Sequence, residues 1–249
     1  MSLSAKHAVV TGGATGIGLA ITNALVGQGV MVTIMGRNKT RLNDIAHKNK
    51  LINAVQADVA DQRSINDAFK KAREIAPLSI LVNNAGIAHS ALFQKTDYAS
   101  WQNVLNVNLT GVYLATSAFL SEDNNTAHKR IINIASTAGL DGYAYTSAYC
   151  AAKHGVMGLT KSLALELKDT GTTVNAICPG FANTAIVTKA VENIMNKTGR
   201  SQQEALDSIL QTAEQKRLVE PEEIASEVIK LCSAESDVIN GKTIVMDGN

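Results

Sequence analysis

The chain has 249 residues, of which 45% are hydrophobic and 18% charged, which is enough for a sizeable core and too apolar for a disordered protein. Because 23 Lys and Arg residues are balanced by 22 Asp and Glu residues, the net charge is only +1, and neither nucleic acid nor an anionic membrane is indicated as a partner. No linker interrupts the chain, so we expect one domain over 1–249.

The cysteines and the N-terminus bear on the compartment. Cys150, Cys178 and Cys232 are odd in number and widely spaced, and they predict neither a disulfide framework nor a zinc site. The first residues lack the apolar core of a signal peptide, and no later run approaches the roughly 18 apolar residues of a membrane span. We therefore expect a soluble, cytoplasmic protein without a metal centre.

The N-terminal region has the pattern of a dinucleotide site. The β-branched run His7–Thr11 predicts a strand, the glycines within 12–18 predict a tight turn, and a helical stretch follows over 19–28. Dinucleotide phosphates need this order, because glycines let the backbone approach and a helix N-terminus offers free N–H groups. Glycine turns commonly serve only geometry, but the place of this one between strand and helix favours nucleotide binding.

The end of the second strand bears on the choice of cofactor. After the strand over 30–35, the position that often carries an acid for the ribose 2′-hydroxyl of NAD holds Gly36. Gly36 cannot repel a 2′-phosphate and the guanidinium of Arg37 suits one, so we favour NADP(H), with NAD(H) as the alternative. Against this, Arg37 also fits an ordinary loop arginine, and Thr15 in the glycine turn is not basic.

A polar helix over 43–50 and a third strand over 51–57 lead to Asp58 and Val59. Asp58 follows directly on the strand, at the edge of the sheet where nucleotides bind. The residues alone leave open whether it contacts a ligand or serves as a helix cap or turn residue.

The middle of the chain continues the alternation of helices and strands. An amphipathic helix over 61–76 precedes a fourth strand over 78–82, which runs into the sequence NNAG at 83–86. Asparagines that end a buried strand often satisfy backbone groups, and we assign these both that role and a ligand contact. Asn108 lies inside a long apolar helix around 101–114, where an asparagine is unfavourable by propensity, so we expect it to have a specific polar task.

A tyrosine and a lysine lie four residues apart further along. After a polar loop at 122–129, a fifth strand over 130–135 delivers Ser136 to its carboxyl end, where ligands of open α/β sheets bind. Tyr149 and Lys153 share one helix face, and a lysine held near a phenol lowers the phenol pKa from about 10. Taken alone, such a pair more often decorates a surface helix.

The C-terminal third adds a long excursion to the same pattern. A sixth strand over 172–178 is followed by the sequence PGxxxT at 179–184, and a helix that begins at Pro221 precedes a closing strand within 241–248. The segment 185–218 between them is longer than a connection needs to be. We expect it to form a lid over the substrate.

Two motifs together resemble those of the short-chain dehydrogenase/reductase family, and the resemblance covers essentially the whole chain. They are TGxxxGIG at 11–18 and Tyr149-x-x-x-Lys153, with Ser136 thirteen positions before the tyrosine. The resemblance implies an α/β fold, a single-domain Rossmann-like doubly wound parallel sheet of about seven strands with helices on both faces. It also implies that the protein interconverts secondary alcohols and ketones with NAD(H) or NADP(H) and assembles as a homotetramer.

The resemblance assigns roles to individual residues as well. It implies that Tyr149 exchanges a proton with the substrate, whose oxygen Ser136 holds. It implies that Lys153 bonds the cofactor ribose and that Asn108 holds a water leading from Lys153 to solvent. The implied catalytic residues are therefore Asn108, Ser136, Tyr149 and Lys153. The implied cofactor-binding residues are Gly12, Thr15, Gly16, Ile17, Gly18, Arg37, Asp58, Val59, Asn84, Ala85, Gly86, Tyr149, Lys153, Pro179, Gly180 and Thr184.

The substrate stays open on the sequence. The segments 139–147 and 185–218 are similar in style to those of relatives that act on 3-oxoacyl thioesters or polyketides, but sugar alcohols, steroids and small hydroxy acids also fit. Five basic residues of the lid segment either meet a carrier's phosphates or, as we favour, form a solvated face: Lys189, Lys197, Arg200, Lys216 and Arg217. The alternative to an enzyme is a cofactor-binding regulator or scaffold of the same fold, against which the four implied catalytic residues argue.

Overall fold

A parallel sheet forms the centre of the protein. The structure, a computed structural model, describes residues 3–121 and 128–249. The strands of the sheet are β1 (His7–Thr11), β2 (Met31–Gly36), β3 (Ile52–Gln56), β4 (Ile80–Asn83), β5 (Arg130–Ile134), β6 (Thr173–Pro179) and β7 (Thr243–Met246). In these described residues they pair in the order β3-β2-β1-β4-β5-β6-β7, and every pair is parallel. The strand order reverses between β1 and β4, which is where ligands bind in doubly wound sheets.

Helices connect the strands and cover both faces of the sheet. They are α1 (Gly16–Gly27), α2 (Lys39–Ala46), α3 (Gln62–Ile75), α4 (Tyr98–Leu105), α5 (Gly111–Leu120), α6 (Ser147–Glu166), α7 (Ala185–Thr198), α8 (Gln202–Thr212) and α9 (Pro221–Cys232). A π-helical turn, Asn106–Thr110, joins α4 to α5 without a break in the helical path. The predicted long helix is therefore present, and Asn108 lies in its widened turn.

Alternating side chains of the strands build two cores. Ala8 and Val10 of β1 pack with α1, α2 and α9 on one face, while Val9 between them packs with α3 and α5 on the other. All three side chains are fully buried. A sheet buried on both faces needs continuous apolar strands, and this explains why the strands could be read from the sequence as β-branched runs rather than as alternating patterns.

Side-chain caps set where several helices begin. Asp61 caps α3 by accepting a hydrogen bond from the Ser64 N–H at 2.5 Å. Ser201 and Glu204 form a reciprocal capping box at the start of α8. These bonds satisfy N–H groups that the first helical turn leaves without backbone partners.

The segment after β6 forms a small helical pair of its own. Helices α7 and α8 bury Val187, Val191, Ala205 and Ile209 against one another. This cluster is separate from the two cores of the sheet. The predicted lid segment is thus a folded unit beside the carboxyl ends of the strands.

The predicted fold class is confirmed, but both bounds of the polar helix predicted over 43–50 are wrong, because it spans Lys39–Ala46. It begins at Lys39 because the side chain of Asn38 caps it by accepting from the Arg41 N–H at 3.0 Å. The predicted loop at 122–129 falls largely on residues 122–127, which lie outside the described residues. Among the described helices, none is both long and apolar enough to cross a membrane.

Candidate active site at the carboxyl ends of the strands

A cleft of about 360 Å³ opens at the carboxyl ends of β1, β4, β5 and β6. A second hollow of about 160 Å³ adjoins it at the ends of β2 and β3, and the two share Gly12, Ala85, Gly86 and Ile87. Together they form an elongated groove across the point where the strand order reverses. Seventeen of the eighteen different residues predicted for the site line the cleft or the hollow, and Gly18 alone of these eighteen lines neither. The cleft is lined by Gly12, Thr15, Gly16, Ile17, Asn84, Ala85, Gly86, Asn108, Ser136, Tyr149, Lys153, Pro179, Gly180 and Thr184. The hollow is lined by Arg37, Asp58 and Val59.

The glycine turn has the shape that a dinucleotide phosphate requires. A Cβ at Gly18 would lie 2.3 Å from the Gly12 carbonyl oxygen, and one at Gly12 would lie 2.9 Å from the Asn84 Nδ2 atom. Thr15 precedes α1 in an extended conformation, and within the described residues its side chain makes no capping bond to the first turn. The N-terminal N–H groups of α1 therefore face the cleft without a side-chain cap, as an anion-binding helix N-terminus needs.

The neighbouring strand end holds this turn in place. The Asn84 Nδ2 donates to the carbonyl oxygens of Thr11 at 3.0 Å and Gly12 at 3.3 Å. The Thr11 hydroxyl accepts from the N–H groups of Asn84 at 3.0 Å and Ala85 at 3.1 Å. Asn84 thus satisfies backbone groups, which was one of its two predicted roles, and Thr11 is a supporting residue that the sequence reasoning missed.

Asn83 serves a different purpose from Asn84. Its Nδ2 donates to the Thr116 hydroxyl at 3.0 Å and to Asn133 Oδ1 at 2.8 Å, and Asn133 in turn donates to the Thr160 hydroxyl at 2.8 Å. All four side chains are buried. This ladder ties α5 and α6 to the strands β4 and β5, whose carboxyl ends form the floor of the cleft.

The side hollow joins the residues that were predicted for the adenosine end of the cofactor. Arg37 is exposed at the rim of the hollow. One carboxylate oxygen of Asp58 accepts a hydrogen bond from the Ala60 N–H at 3.0 Å, as is typical of a turn residue. Arg41 was missed: its Nε donates to the Ala14 carbonyl at 3.3 Å, so a second guanidinium lies beside the glycine turn. Only the corrected start of α2 brings Arg41 into this position.

Ser136, Tyr149 and Lys153 meet in the cleft. Tyr149 and Lys153 lie in the first two turns of α6, and Ser136 follows β5. Ser136 lines the cleft close enough to the Tyr149 phenol to lower its pKa, and its hydroxyl accepts from the Ala138 N–H at 3.1 Å. The Lys153 Nζ lies 5.6 Å from the centroid of the Tyr149 ring. A hydroxyl, a phenol and an amine thus share one small volume.

The pKa values of this pair correct a sequence expectation. Burial raises the pKa of Tyr149 to about 12, although the side chain of Ser136 acts in the opposite direction. Burial also lowers the pKa of Lys153 to about 8. The Lys153 Nζ donates to the Ile134 carbonyl at 2.8 Å and so faces the end of β5. The expectation of a lowered Tyr149 pKa is therefore wrong for this arrangement, because the desolvation of the phenol is the largest effect on its pKa.

Asn108 is fully buried and its side chain is committed to the backbone. Its Nδ2 donates to the carbonyls of Ile87 and Val104, both at 2.9 Å, and its Oδ1 accepts from the Ile87 N–H at 3.2 Å. Asn108 thereby holds the loop after NNAG against the π-helical turn. A Cβ at Gly86 would lie 2.8 Å from this Oδ1, so the loop can pack here only with a glycine.

The wall opposite the glycine turn comes from the loop after β6. Thr184 precedes α7, and its methyl group is 3.4 Å from where a Cβ of Gly16 would lie. The rings of Tyr143 and Phe181 meet edge to face, with centroids 6.4 Å apart, and both line the cleft. Neither aromatic residue was predicted, since each lies in an irregular segment whose position depends on the whole fold.

Comparison with known proteins agrees with this geometry. The family model for short chain dehydrogenases matches residues 6–195. The chain is 36% identical to D-beta-hydroxybutyrate dehydrogenase of Cupriavidus necator, over 99% of this chain and 98% of that one. It is 35% identical to 3-oxoacyl-[acyl-carrier-protein] reductase of Aquifex aeolicus, over 100% and 98% of the two chains.

A solved structure shows the same architecture throughout. A variant of actinorhodin polyketide ketoreductase, determined with NADPH, is 32% identical and superposes with a TM-score of 0.92 over 100% of this chain and 99% of the other. The chain is also 36% identical to acetoacetyl-CoA reductase of Rhizobium meliloti, over 98% of this chain and 97% of that one. The protein therefore belongs to the short-chain dehydrogenase family and is an NAD(P)-dependent oxidoreductase that interconverts a secondary alcohol and a ketone by hydride transfer.

Proposed function

We propose that the protein is an NADP(H)-preferring reductase of 3-oxoacyl thioesters that acts through Ser136, Tyr149, Lys153 and Asn108. The observation that carries this proposal is the convergence of a hydroxyl, a phenol and an amine in one cleft beside an uncapped helix N-terminus. A regulator without turnover needs the helix N-terminus but has no use for the three polar groups beside it.

The proposed reaction divides the work among these side chains. When bound, the nicotinamide supplies a hydride to the carbonyl carbon or accepts one from the alcohol. The Ser136 hydroxyl donates a hydrogen bond to the substrate oxygen, and one such preorganised donor contributes about 3 kcal/mol to the lowering of a barrier. Tyr149 gives its proton to that oxygen during reduction and takes it back during oxidation.

The raised pKa of Tyr149 suits the reductive direction. With a pKa of about 12 the phenol carries its proton at neutral pH and can act as an acid without prior activation. Lys153 resupplies the proton, since burial brings its own pKa to about 8 and so close to neutrality. The side chain of Asn108 is committed to Ile87 and Val104, so the proposed water between Lys153 and solvent would bind the main-chain carbonyl of Asn108 instead.

The preference for NADP(H) rests on charge at the side hollow. Gly36 and Arg37 line it, and Arg41 lies beside the adjoining glycine turn. Two guanidinium groups near the end of β2 favour a 2′-phosphate, with which arginine forms charge-assisted hydrogen bonds. The remaining predicted cofactor residues, from Gly12 to Thr184, would hold the pyrophosphate, ribose and nicotinamide along the groove.

The preference for a thioester over a free acid rests on the lining of the cleft. Among the described residues that line it, Lys153 is the one with a charged side chain, and its amine already bonds Ile134. A free carboxylate would lose its hydration in this largely apolar cleft and would find no cation other than Lys153 among the described residues that line it, whereas a thioester carries no charge to desolvate. Ile186 and Val187 at the start of α7 also line the cleft, which supports the proposal that 185–218 covers the substrate.

The proposal extends to assembly and compartment. We infer a homotetramer that forms through the helices α4, α5 and α6, where Tyr113 is 56% and Leu165 73% exposed in the single chain. Large exposed apolar side chains on adjacent helices suit contact with a second copy. A cytoplasmic location is in keeping with the use of NADP(H) and with free cysteines.

The test is a direct comparison of substrates and cofactors. We expect the protein to oxidise NADPH with acetoacetyl-CoA and to turn over acetoacetate, the matching free acid, with at least a tenfold lower kcat/KM. We also expect NADH to be the poorer cofactor. Equal or better turnover of acetoacetate would refute the thioester proposal, and an absence of turnover with any ketone would refute the enzymatic one.

A further inference from the structure

A buried glutamine outside the catalytic cluster grips the loop that carries the cleft wall. Gln215 follows α8 and is 6% exposed. Its Oε1 accepts from the Phe181 N–H at 2.8 Å, and its Nε2 donates to the Phe181 carbonyl at 2.8 Å. The same Nε2 donates to the Arg217 carbonyl at 2.5 Å. One side-chain amide thus pairs with both backbone groups of Phe181.

The surrounding backbone is shaped around this amide. A Cβ at Gly180 would lie 2.5 Å from the Gln215 Oε1, and one at Gly248 would lie 2.9 Å from its Nε2. Three separate segments therefore meet at Gln215: the loop after β6, the end of the lid segment and the C-terminal tail. The three bonds need one acceptor and two donors in one plane, which a carboxamide offers and which a carboxyl group or an apolar side chain of the same length does not.

The residue that Gln215 holds is part of the substrate space. The ring of Phe181 lies edge to face against Tyr143, and the two rings are called here the aromatic wall. The Tyr143 hydroxyl donates to the Thr137 hydroxyl at 3.0 Å, and Thr137 follows Ser136 directly. The aromatic wall is thus fixed at one end by the loop of Ser136 and at the other end by Gln215.

The two backbone groups of Phe181 depend to different degrees on their hydrogen bonds to Gln215. Its carbonyl also accepts from the Val219 N–H at 3.0 Å, so it keeps a partner when the glutamine is removed. Its N–H has the Gln215 Oε1 as its acceptor. Loss of the glutamine would therefore leave the loop attached through the Phe181 carbonyl but would free the backbone at the Phe181 N–H to rotate. Such a rotation would move the Phe181 ring without unfolding the protein.

We propose that Gln215 is a positioning residue for the substrate, because it sets the place of the Phe181 ring against Tyr143 and Ser136. This inference rests on the proposed function, since it assigns the aromatic wall to the thioester's acyl group. Gln215 itself touches neither the reacting atoms nor the predicted cofactor residues other than Gly180.

The first test replaces the glutamine with an apolar side chain of similar length. Gln215→Met should raise the KM for acetoacetyl-CoA at least fivefold and change the KM for NADPH less than twofold. The matched control is Gln211→Met, on the exposed side of α8, which should change neither KM. An unchanged KM for acetoacetyl-CoA in Gln215→Met, with only a lower Tm, would show a merely structural role and overturn the proposal.

A second variant gives a readout that a loss of stability cannot produce. In Gln215→Glu a protonated carboxyl supplies one donor and one acceptor, whereas the ionised form supplies acceptors alone. Because burial at this site raises the pKa of a carboxyl above its ordinary value of about 4.3, the KM of this variant relative to the wild-type KM should fall as the pH is lowered from 8 to 5. A ratio that does not change with pH would overturn the proposal.

A double variant tests whether the effect runs through Phe181. If Gln215 acts by placing this ring, Gln215→Met should add less than twofold to the KM of a Phe181→Ala protein. Full additivity of the two changes would contradict the proposal. In every case the wild-type protein must first turn over acetoacetyl-CoA, and if it does not, the proposed function is wrong. If the wild-type protein turns over acetoacetyl-CoA and the Gln215 variants keep its KM, this inference alone is wrong.

Discussion

The change Gly18→Ala tests how closely the glycine turn is built. The added Cβ would lie 2.3 Å from the Gly12 carbonyl oxygen and 2.5 Å from the Asn84 Nδ2, where real Cβ contacts essentially never come below 3.0 Å. The oxygen belongs to the backbone of the turn itself and cannot rotate away. The turn must therefore open by at least 0.7 Å, the difference between 3.0 and 2.3 Å.

The size of the effect follows from this displacement. Overpacking by one methyl group in a tight site typically costs about 1–3 kcal/mol. If most of this cost falls on the conformation that holds the pyrophosphate, the Kd for NADPH should rise roughly 5- to 150-fold, since about 1.4 kcal/mol corresponds to tenfold. The Tm should fall as well, because the same contact between Gly12 and Gly18 exists without a ligand.

The same helix supplies the control. At Gly27 a Cβ would meet nothing within 4 Å among the described atoms, and its φ is not in the left-handed region. Gly27→Ala should therefore leave the Kd for NADPH within twofold of wild type. Fluorescence titration of NADPH into the three proteins gives the answer. Wild-type affinity in folded Gly18→Ala protein would refute the assignment of this turn to the cofactor pyrophosphate.

Three further predictions concern charge, acid stability and the buried ladder. Arg37→Ala should lower kcat/KM for NADPH about tenfold and for NADH less than twofold, whereas Arg63→Ala on the exposed side of α3 should change neither value. If the ratio of kcat/KM for NADPH to that for NADH is unchanged in Arg37→Ala, Arg37 does not bind a 2′-phosphate. Burial lowers the pKa of His7 in the fold, so the unfolded chain binds more protons below about pH 6.5 and the free energy of unfolding should fall as the pH drops through that value. In urea titrations this free energy should fall less for His7→Gln than for wild type, and an equal fall in the two proteins would exclude His7 as the cause. Asn133→Leu should destabilise the fold by about 2–4 kcal/mol in urea unfolding, because it strips the bonds to Asn83 and Thr160, and a loss below about 1 kcal/mol would show that the ladder contributes little.

The fold and most of the site residues were predicted from patterns of residues that are close together in the sequence. The β-branched runs, the glycine turn and the placement of Ser136 after a strand depend on neighbours in the chain, so they could be read without coordinates. The start of α2 was misplaced because the cap at Asn38 is one side-chain bond within a polar stretch that has no apolar periodicity. This error also hid Arg41.

What the sequence could not supply are contacts between distant segments. Gln215 lies 34 residues from Phe181 along the chain, and no spacing rule connects them. The commitment of Lys153 to Ile134 and of Asn108 to Ile87 depends on how α6 and the π-helical turn pack against the sheet. The pKa of Tyr149 differs from its expected direction for the same reason, since the sequence shows the lysine four residues away but not the burial that raises the pKa.

The most direct test of the proposed mechanism is to remove the hydroxyl proton of Tyr149. Tyr149→Phe removes the hydroxyl and keeps the ring, so it should bind NADPH with a Kd within about threefold of wild type, as measured by fluorescence titration. Its kcat for NADPH oxidation with acetoacetyl-CoA should fall by roughly 10²- to 10⁴-fold. A Tyr149→Phe protein that turned over within tenfold of wild type would contradict the claim that this phenol is the acid of the reaction.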